Sequence, residues 1–560
     1  MFFDAILFDL DDTLYNYEAC HTIALDAVLD GIGAKHCIAV TELADCYADL
    51  NVQLKIELGY TAASHSRFIY FKQLLAAKGL PLAATIHWHG LYWSTFYAAM
   101  HPAEGVLELL TLLKARKIKI ILLSDFLIQH QFEKLAALGI LEYFDEIVTS
   151  EEVGVDKPNS KMFLAALAKI GSTPEKVIIV GDSFTKDIAG AARCGIGGFW
   201  IHPKAGKPVL RKGHAAFVSM LALADWLRRL DFELEHLQRL SRACGERYDL
   251  TQAAGGNISV KLDDCMFIKA SGMPLGDVSR RNGYAIVDNG RLSADLKSGQ
   301  LNKMEEYALF SRARASIETY MHSLLQRYTV HLHPLALNEI LTSVEGRAVI
   351  ENIFPQATII DYVTPGIDIA EAICRLEKPS ELIFLMNHGL IVSSDDITRV
   401  LALVDEVVAV CETHLAFDYA RYRNTVTLSA LLNAATTLNY VCYLCEDSVI
   451  TDAHEVLANL APTFPDSVVY CAVRAMYLET LSAVEVEAHV AVHGVPKVIM
   501  YRSLVYLYDI SLNKCRDTES VLKSLVLLAV SATPKKYLPE AEIDFLSSWD
   551  AEIYRKNLRN

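Results

Sequence analysis

The chain has 560 residues, too many for one hydrophobic core, and that length predicts two to four domains. Its composition, 52% hydrophobic and 21% charged, is that of an ordinary globular protein. The formal net charge of −16 argues against a general nucleic-acid or membrane-surface binder and leaves phosphorylated small molecules open, because local pockets decide those. The first residues run directly into a strand with no basic stretch before a long apolar one, so no signal peptide is expected. The apolar run at 521–530 is too short for a membrane span and is broken by Lys523. The twelve cysteines are scattered. Cys442 and Cys445 make a lone C-x-x-C, and reduced core thiols in a cytoplasmic protein are the reading that fits.

Three apolar runs, at 5–8, 118–123 (interrupted by Lys119) and 177–180, each end in polar residues and are separated by helical patterns at 131–138 and 160–170. This alternation predicts a doubly wound parallel sheet, with ligands outside the carboxyl ends of its strands. Asp9, Asp11, Ser124 and Asp182 all fall at those ends. A carboxylate there can attack phosphorus to give an aspartyl-phosphate, and a second carboxyl two residues on can protonate the leaving group and then activate water. Phosphate with several carboxylates calls for Mg2+, and Lys157 is available to hold the charge. Residues 15–100 read as helices. His87-Trp88-His89 lies among them, where side chains two apart diverge, so it reads as packing or a substrate-facing surface and not as a metal pair.

These segments resemble a haloacid dehalogenase-superfamily phosphatase over residues 1 to about 225, with four motifs in order. The resemblance implies Asp9 as nucleophile, Asp11 as acid/base, Ser124 as a phosphate-binding hydroxyl and Lys157 as the third motif. It implies Asp182 and Asp187, with Asp9 and Asp11, as the Mg2+ site, and residues 15–100 as a helical cap that chooses the substrate.

Residues 195–201 read as a further strand, 202–213 as a basic loop and 216–223 as the end of the first unit. An amphipathic helix at 227–244 should open the second unit through a short, stiff connection. Two glycine turns follow, at Gly255-Gly256-Asn257 and Ser271-Gly272, suited to close approach and anion cradling. His331 and His333 sit two apart in an extended run and would aim at one point. His388, at a glycine-containing break between two apolar runs, is the third ligand expected. Three histidines leave an open position on Zn2+, which polarises a carbonyl, and Glu318 is the candidate proton shuttle.

Residues 235–425 resemble the class II aldolase/adducin family, specifically its zinc-dependent sugar-phosphate aldolases. That resemblance implies phosphate binding by Asn257, Ser271, Gly272 and Ser316, and a homo-oligomer. The same fold also carries dehydratases, epimerases and the non-catalytic adducin. Beyond it, 466–470, 495–501 and 506–510 read as strands, and 520–531 and 539–558 as helices, with no catalytic set. The expected division is 1–230, 231–430 and 431–560. The expected activity is a Mg2+-dependent phosphomonoester hydrolase joined to a Zn2+-dependent aldolase, acting on a phosphorylated sugar or related metabolite. The alternatives are a dehydratase joined to an enolase-phosphatase, and a phosphatase joined to an adducin-like assembly domain.

Overall fold

Strand β1 (Ala5–Phe8) is buried on both faces, which is why its four residues are all apolar. Around it, in a computed structural model that describes residues 2–206, 209–310, 313–457 and 460–547, the chain forms three sheets. The first also contains β2 (Lys119–Ser124), β3 (Glu146–Thr149), β4 (Val177–Gly181), β5 (Gly197–Ile201), β6 (Val209–Arg211) and β7 (His214–Phe217). Its order is β3-β2-β1-β4-β5-β7-β6, parallel except for the β6–β7 hairpin, which occupies part of the expected basic loop. Four helices, Tyr17–His36, Val40–Leu58, Arg67–Ala77 and Thr85–Ala98, follow β1 directly, where the cap was expected.

The second sheet comprises β8 (Asn257–Leu262), β9 (Cys265–Lys269), β10 (Tyr284–Asp288), β11 (Tyr328–Leu332), β12 (Thr358–Ile360), β13 (Leu382–Leu385) and β14 (Gly389–Ser394). Its order is β10-β9-β8-β11-β14-β13-β12, antiparallel except for β12–β13. The connection between the two sheets is one helix, Met220–Gly245, which starts earlier than the sequence pattern suggests because Ser219 caps it by accepting from the Ala222 amide at 3.2 Å. This helix runs through position 230. Its Trp226 packs against Phe199 and Phe217 of the first sheet, while Phe310 from the second region stacks on Phe2 and meets Phe199 edge-to-face. Asp231 on the same helix accepts from Arg116 at 2.7 Å and from Arg280 at 2.7 Å, one arginine from each side. The apolar core is continuous across this joint.

The third sheet, β15 (Val441–Cys445), β16 (Met476–Leu478), β17 (Val498–Tyr501) and β18 (Leu504–Asp509), has the order β15-β18-β17-β16. The segment read as a strand at 466–470 is instead a helix, Pro465–Cys471. Proline pre-sets the first helical position, and Val468 and Cys471 bury one face at a spacing of three, whereas a strand would have split them across two faces. Helices Leu512–Val530 and Glu540–Ser547 follow; the expected continuation to 558 lies outside the described residues. Cys442 and Cys445 pack into different clusters on opposite faces of β15, and all twelve cysteines are free. Among the described residues, no helix is long and apolar enough to cross a membrane.

Candidate functional site

The first cluster sits at the carboxyl ends of β1, β2 and β4. Past β1 the chain turns at once: Leu10 carbonyl accepts from the Thr13 and Leu14 amides, and Asp12 takes a left-handed φ of 59° that aspartate tolerates. Asp9 is buried and faces Lys157, whose ammonium donates to Asp9 Oδ1 at 2.5 Å and to Asp187 Oδ1 at 2.7 Å. Thr13 Oγ1 donates to Asp9 Oδ2 at 3.2 Å and accepts the Asp182 amide at 3.0 Å, tying two of the carboxylates together. Gly181 leaves the space that Asp187 fills, since a Cβ there would lie 2.4 Å from Asp187 Oδ2.

Carboxylate oxygens of Asp9, Asp182 and Asp187 lie within 4.8 Å of one another. At an effective dielectric near 20, each such charge pair is worth about 3 to 6 kcal/mol, so one lysine roughly offsets the mutual repulsion. The cost of burying the remaining net negative charge is not offset. Burial accordingly pushes the Asp9 carboxyl up to about 8, with Lys157 opposing and Asp187 adding to the rise, and burial and Asp187 also raise Asp182. An all-oxygen, net-anionic donor set fits a hard divalent cation such as Mg2+. Asp11 is held differently: Lys134 donates to both its oxygens, at 2.7 and 3.0 Å, and Tyr15 to one at 2.6 Å. Its carboxylate is not part of the close trio. Ser124, at the end of β2, accepts from Gln131 Nε2 at 2.7 Å.

Lys134 escaped the sequence reading. It sits fully buried on helix Ile128–Ala137 with His130, Gln131 and Leu135. Polar residues on the buried face of an amphipathic helix were the available signal. Asp125 likewise orders the site, accepting from the Lys157 amide at 2.7 Å and from Lys186 at 3.0 Å.

The second cluster is built within the second sheet. β11 is flanked by β8 and β14, and its His331 stands beside Asn257 and Ile391 in register. His333, just past the strand, is fixed by its amide donating to Leu250 carbonyl at 2.9 Å, and His388 lies in the turn between β13 and β14. Nitrogens of His331, His333 and His388 lie within 4.8 Å of one another, with the Nε2 atoms of His331 and His333 only 3.1 Å apart. His331 Nδ1 lies 3.0 Å from Leu390 carbonyl, which can only accept, so this nitrogen carries the proton and Nε2 is left as a ligand atom. Burial and the neighbouring imidazoles lower His333 and His388 to about 4, which keeps them neutral, as ligation requires.

Glycines clear the space: a Cβ on Gly389 would lie 2.4 Å from Leu332 carbonyl and 2.9 Å from His333 Cδ2, and one on Gly255 would lie 3.2 Å from His333 Nδ1. Glu318 Oε1 lies 3.3 Å from His331 Nε2 and 3.8 Å from His388 Nε2. Burial would raise its carboxyl, but His331 beside it, with His322 and His388, holds it well below the usual carboxylate range. Three imidazoles and an adjacent carboxylate fit Zn2+.

The expected phosphate binders divide. Asn257 is fully buried, its Nδ2 donating to Glu318 at 3.4 Å, and Ser316 Oγ accepts the Glu318 amide at 3.3 Å. Ser271 and Gly272 are exposed, the glycine at a φ of 77°. Lys269 is spent on the carbonyls of Ala254 and Met273. His322 was not anticipated: it is fully buried, with Nδ1 2.8 Å from Ser259 Oγ. The His87/His89 pair faces other tasks, His89 accepting from Trp93 Nε1 at 3.0 Å while His87 is exposed.

Two catalytic architectures therefore share one chain, a carboxylate site on a parallel sheet and an imidazole site on an antiparallel one. The sequence model of the haloacid dehalogenase-like hydrolases matches residues 3–195, and that of the class II aldolase and adducin N-terminal domain matches residues 235–415. The first region is 35% identical over 199 residues to a ribulose-1,5-bisphosphate 5-phosphatase of Halopiger xanaduensis, spanning 34% of this chain and 82% of that protein. It is 36% identical over 202 residues to a glyceraldehyde 3-phosphate phosphatase of Methanopyrus kandleri, spanning 34% and 81%. Among solved structures, a class II aldolase domain of a conserved protein from Thermoplasma acidophilum shares 22% identity, covering 33% of this chain and 93% of its own at a TM-score of 0.30. The chain belongs to the haloacid dehalogenase-like hydrolases and carries a class II aldolase-family domain in the same polypeptide. It is thus an enzyme with a hydrolase half and a lyase-family half.

Proposed function

We propose that the chain is a bifunctional enzyme: a Mg2+-dependent phosphomonoester hydrolase, and a Zn2+-dependent aldolase that cleaves or forms a carbon–carbon bond in a phosphorylated ketose. The observation that supports it is the coexistence of two donor sets, Asp9/Asp182/Asp187 and His331/His333/His388, with Asp11 two residues from Asp9 and Glu318 3.3 Å from His331 as the carboxylates available to move protons. Two of the relatives, a ribulose-1,5-bisphosphate 5-phosphatase and a glyceraldehyde 3-phosphate phosphatase, favour a small phosphorylated sugar at the first site.

At that site Asp9 attacks the phosphoryl group while Lys157 holds its negative charge. Asp11, fixed by Lys134 and Tyr15, gives a proton to the leaving oxygen and then takes one from the water that releases phosphate. Magnesium, when bound, neutralises the phosphate oxygens. At the second site Glu318 moves the proton at the carbon next to the substrate carbonyl, with Asn257 holding its other oxygen. Zinc, when bound, polarises that carbonyl as a Lewis acid. Ser271, Gly272 and Ser316 are the proposed contacts for the substrate phosphate. The same reading takes 1–230, 231–430 and 431–560 as the units, a homo-oligomer as the assembly and the cytoplasm as the location.

The test is a panel of sugar phosphates with phosphate and three-carbon products read separately, alongside metal analysis. Phosphate release should require Mg2+, and a three-carbon ketone phosphate should appear only with zinc present. Water loss from methylthioribulose phosphate without any three-carbon product would replace the aldolase assignment by the dehydratase one. Absence of zinc in the purified protein would reduce the second half to an assembly domain.

A further inference from the structure

Beside the carboxylate site lies a cavity of about 360 Å³, in the range of small-ligand pockets. At one end it reaches Asp11, Asp125 and Lys134; at the other it is walled by the cap residues Asn51, Lys55 and Arg67. The cap end carries positive charge that the catalytic chemistry does not use.

Arg67 is the unusual member. Its guanidinium donates to Tyr92 Oη at 3.3 Å, to His65 carbonyl at 3.2 Å and to the Tyr17 hydroxyl. All three partners are neutral. Its faces meet the rings of Tyr70 at 5.2 Å and Tyr92 at 5.8 Å. Three of its five N–H donors are engaged, so two remain. Among the described residues it forms no ion pair, and Glu18, which shares the wall, pairs with neither cation. Arg67 is half-buried, and a cation drawn partly out of water without an anionic partner keeps a charge that a bound anion can complete. Phenol oxygens and aromatic faces fix the fork in place without neutralising it, which leaves a rigid planar donor for an oxyanion.

The cap is also fastened over the cavity. His65 Nε2 lies 3.0 Å from Asp156 Oδ2, and the Asp156 amide donates to Tyr60 carbonyl at 3.1 Å. Asp156 precedes Lys157, so the segment that presents Arg67 is tied to the segment that presents the catalytic lysine.

We propose that Arg67, supported by Lys55, binds a second oxyanion on the phosphatase substrate. The phosphoryl group to be released sits at Asp9, and a carboxylate or second phosphate at the far end of the same small molecule sits on Arg67. This rests on the phosphatase reading above and specifies its substrate class: a short-chain phosphate ester with an anionic tail.

The test uses the full chain with Mg2+ and three matched three-carbon esters: glycerol 3-phosphate, 3-phosphoglycerate and propane-1,3-diol bisphosphate. Wild type should show at least a tenfold higher kcat/KM for one of the anionic-tail esters than for glycerol 3-phosphate, and which one identifies the tail. Arg67→Gln should bring that ratio close to one, and Lys55→Gln should lower it several-fold. Equal turnover of all three esters by wild type, or an equal loss on all three in Arg67→Gln, would overturn the assignment. Should Arg67→Gln fail to fold by circular dichroism, the exposed Lys55 decides: an unchanged ratio in Lys55→Gln also overturns it. Absence of Mg2+-dependent release from every ester, p-nitrophenyl phosphate included, would instead sink the phosphatase reading itself.

Discussion

The two clusters solve one problem, gathering metal-binding atoms inside a protein, in opposite ways. At the first, the atoms are like charges, and side chains from loops after parallel strands hold them: Lys157 bridges Asp9 and Asp187, and Thr13 bridges Asp9 and Asp182. At the second, the atoms are imidazole nitrogens, and backbone holds them: Leu390 carbonyl orients His331, Leu250 carbonyl fixes His333, and glycines remove the Cβ atoms in the way. Charged ligands therefore need counter-charges brought from distant parts of the chain, whereas imidazoles need room and the right tautomer.

The sharpest way to break the comparison is to disable each site separately. Asp9→Asn keeps the shape but removes the nucleophile, so phosphate release should fall by at least about a thousandfold while zinc content stays at the wild-type level. His331→Ala with His333→Ala should do the reverse, losing zinc and leaving phosphate release within about twofold. If either variant lost both activities, the two sites would be one cooperative unit and the contrast would fail.

The glycines give a finer test. In Gly389→Ala the new methyl meets main chain, Leu332 carbonyl at 2.4 Å, which cannot step aside. We expect destabilisation of about 1 to 3 kcal/mol and clear zinc loss, read by denaturant melts and metal analysis. In Gly181→Ala the methyl meets the Asp187 side chain, also at 2.4 Å, which can rotate at the expense of its bonds to Lys157 and Ser183. There phosphatase activity should fall with a smaller stability cost. Equal stability losses would show that side chain and backbone are equally rigid at these sites.

How much of this was legible beforehand follows the same division. Strands buried on both faces leave unbroken apolar runs, so the first sheet and its terminal aspartates could be read directly, as could the His-x-His of β11 with His388. Lys134 and Arg67 could not, because what makes each of them notable is the company it keeps across more than twenty residues of sequence: Lys134 with Asp11, Arg67 with Tyr17 and Tyr92. The segment at 465–471 went astray because a short β-branched run has no period of its own, and Pro465 decided it. The hydrogen bond that orients His331 comes from pairing with a strand about sixty residues away and leaves no local trace.

A third buried carboxyl extends the comparison. Glu246, at the end of the joining helix, accepts the Cys442 amide of β15 at 3.1 Å and so links the third sheet to the second region. Unlike Asp9, it has no lysine in contact among the described residues, and burial pushes it from 4.5 up to about 7 against the opposing Ser429 hydroxyl, Cys442 amide and Arg242 guanidinium. Between those values the native state keeps a proton that the unfolded state has lost, so stability falls as pH rises through the window and stays reduced above it. The ceiling on that loss is about 3 kcal/mol. Glu246→Gln resembles the protonated form and should flatten the slope. Amide-exchange protection of Val441–Cys445, compared at pH 5 and pH 8 in the two proteins, reads it locally: wild type should lose protection on going to pH 8 relative to the variant. Identical pH dependence would mean that Glu246 is neutralised in the native state by other means, and that an unpaired carboxyl is no weaker a joint here than a paired one.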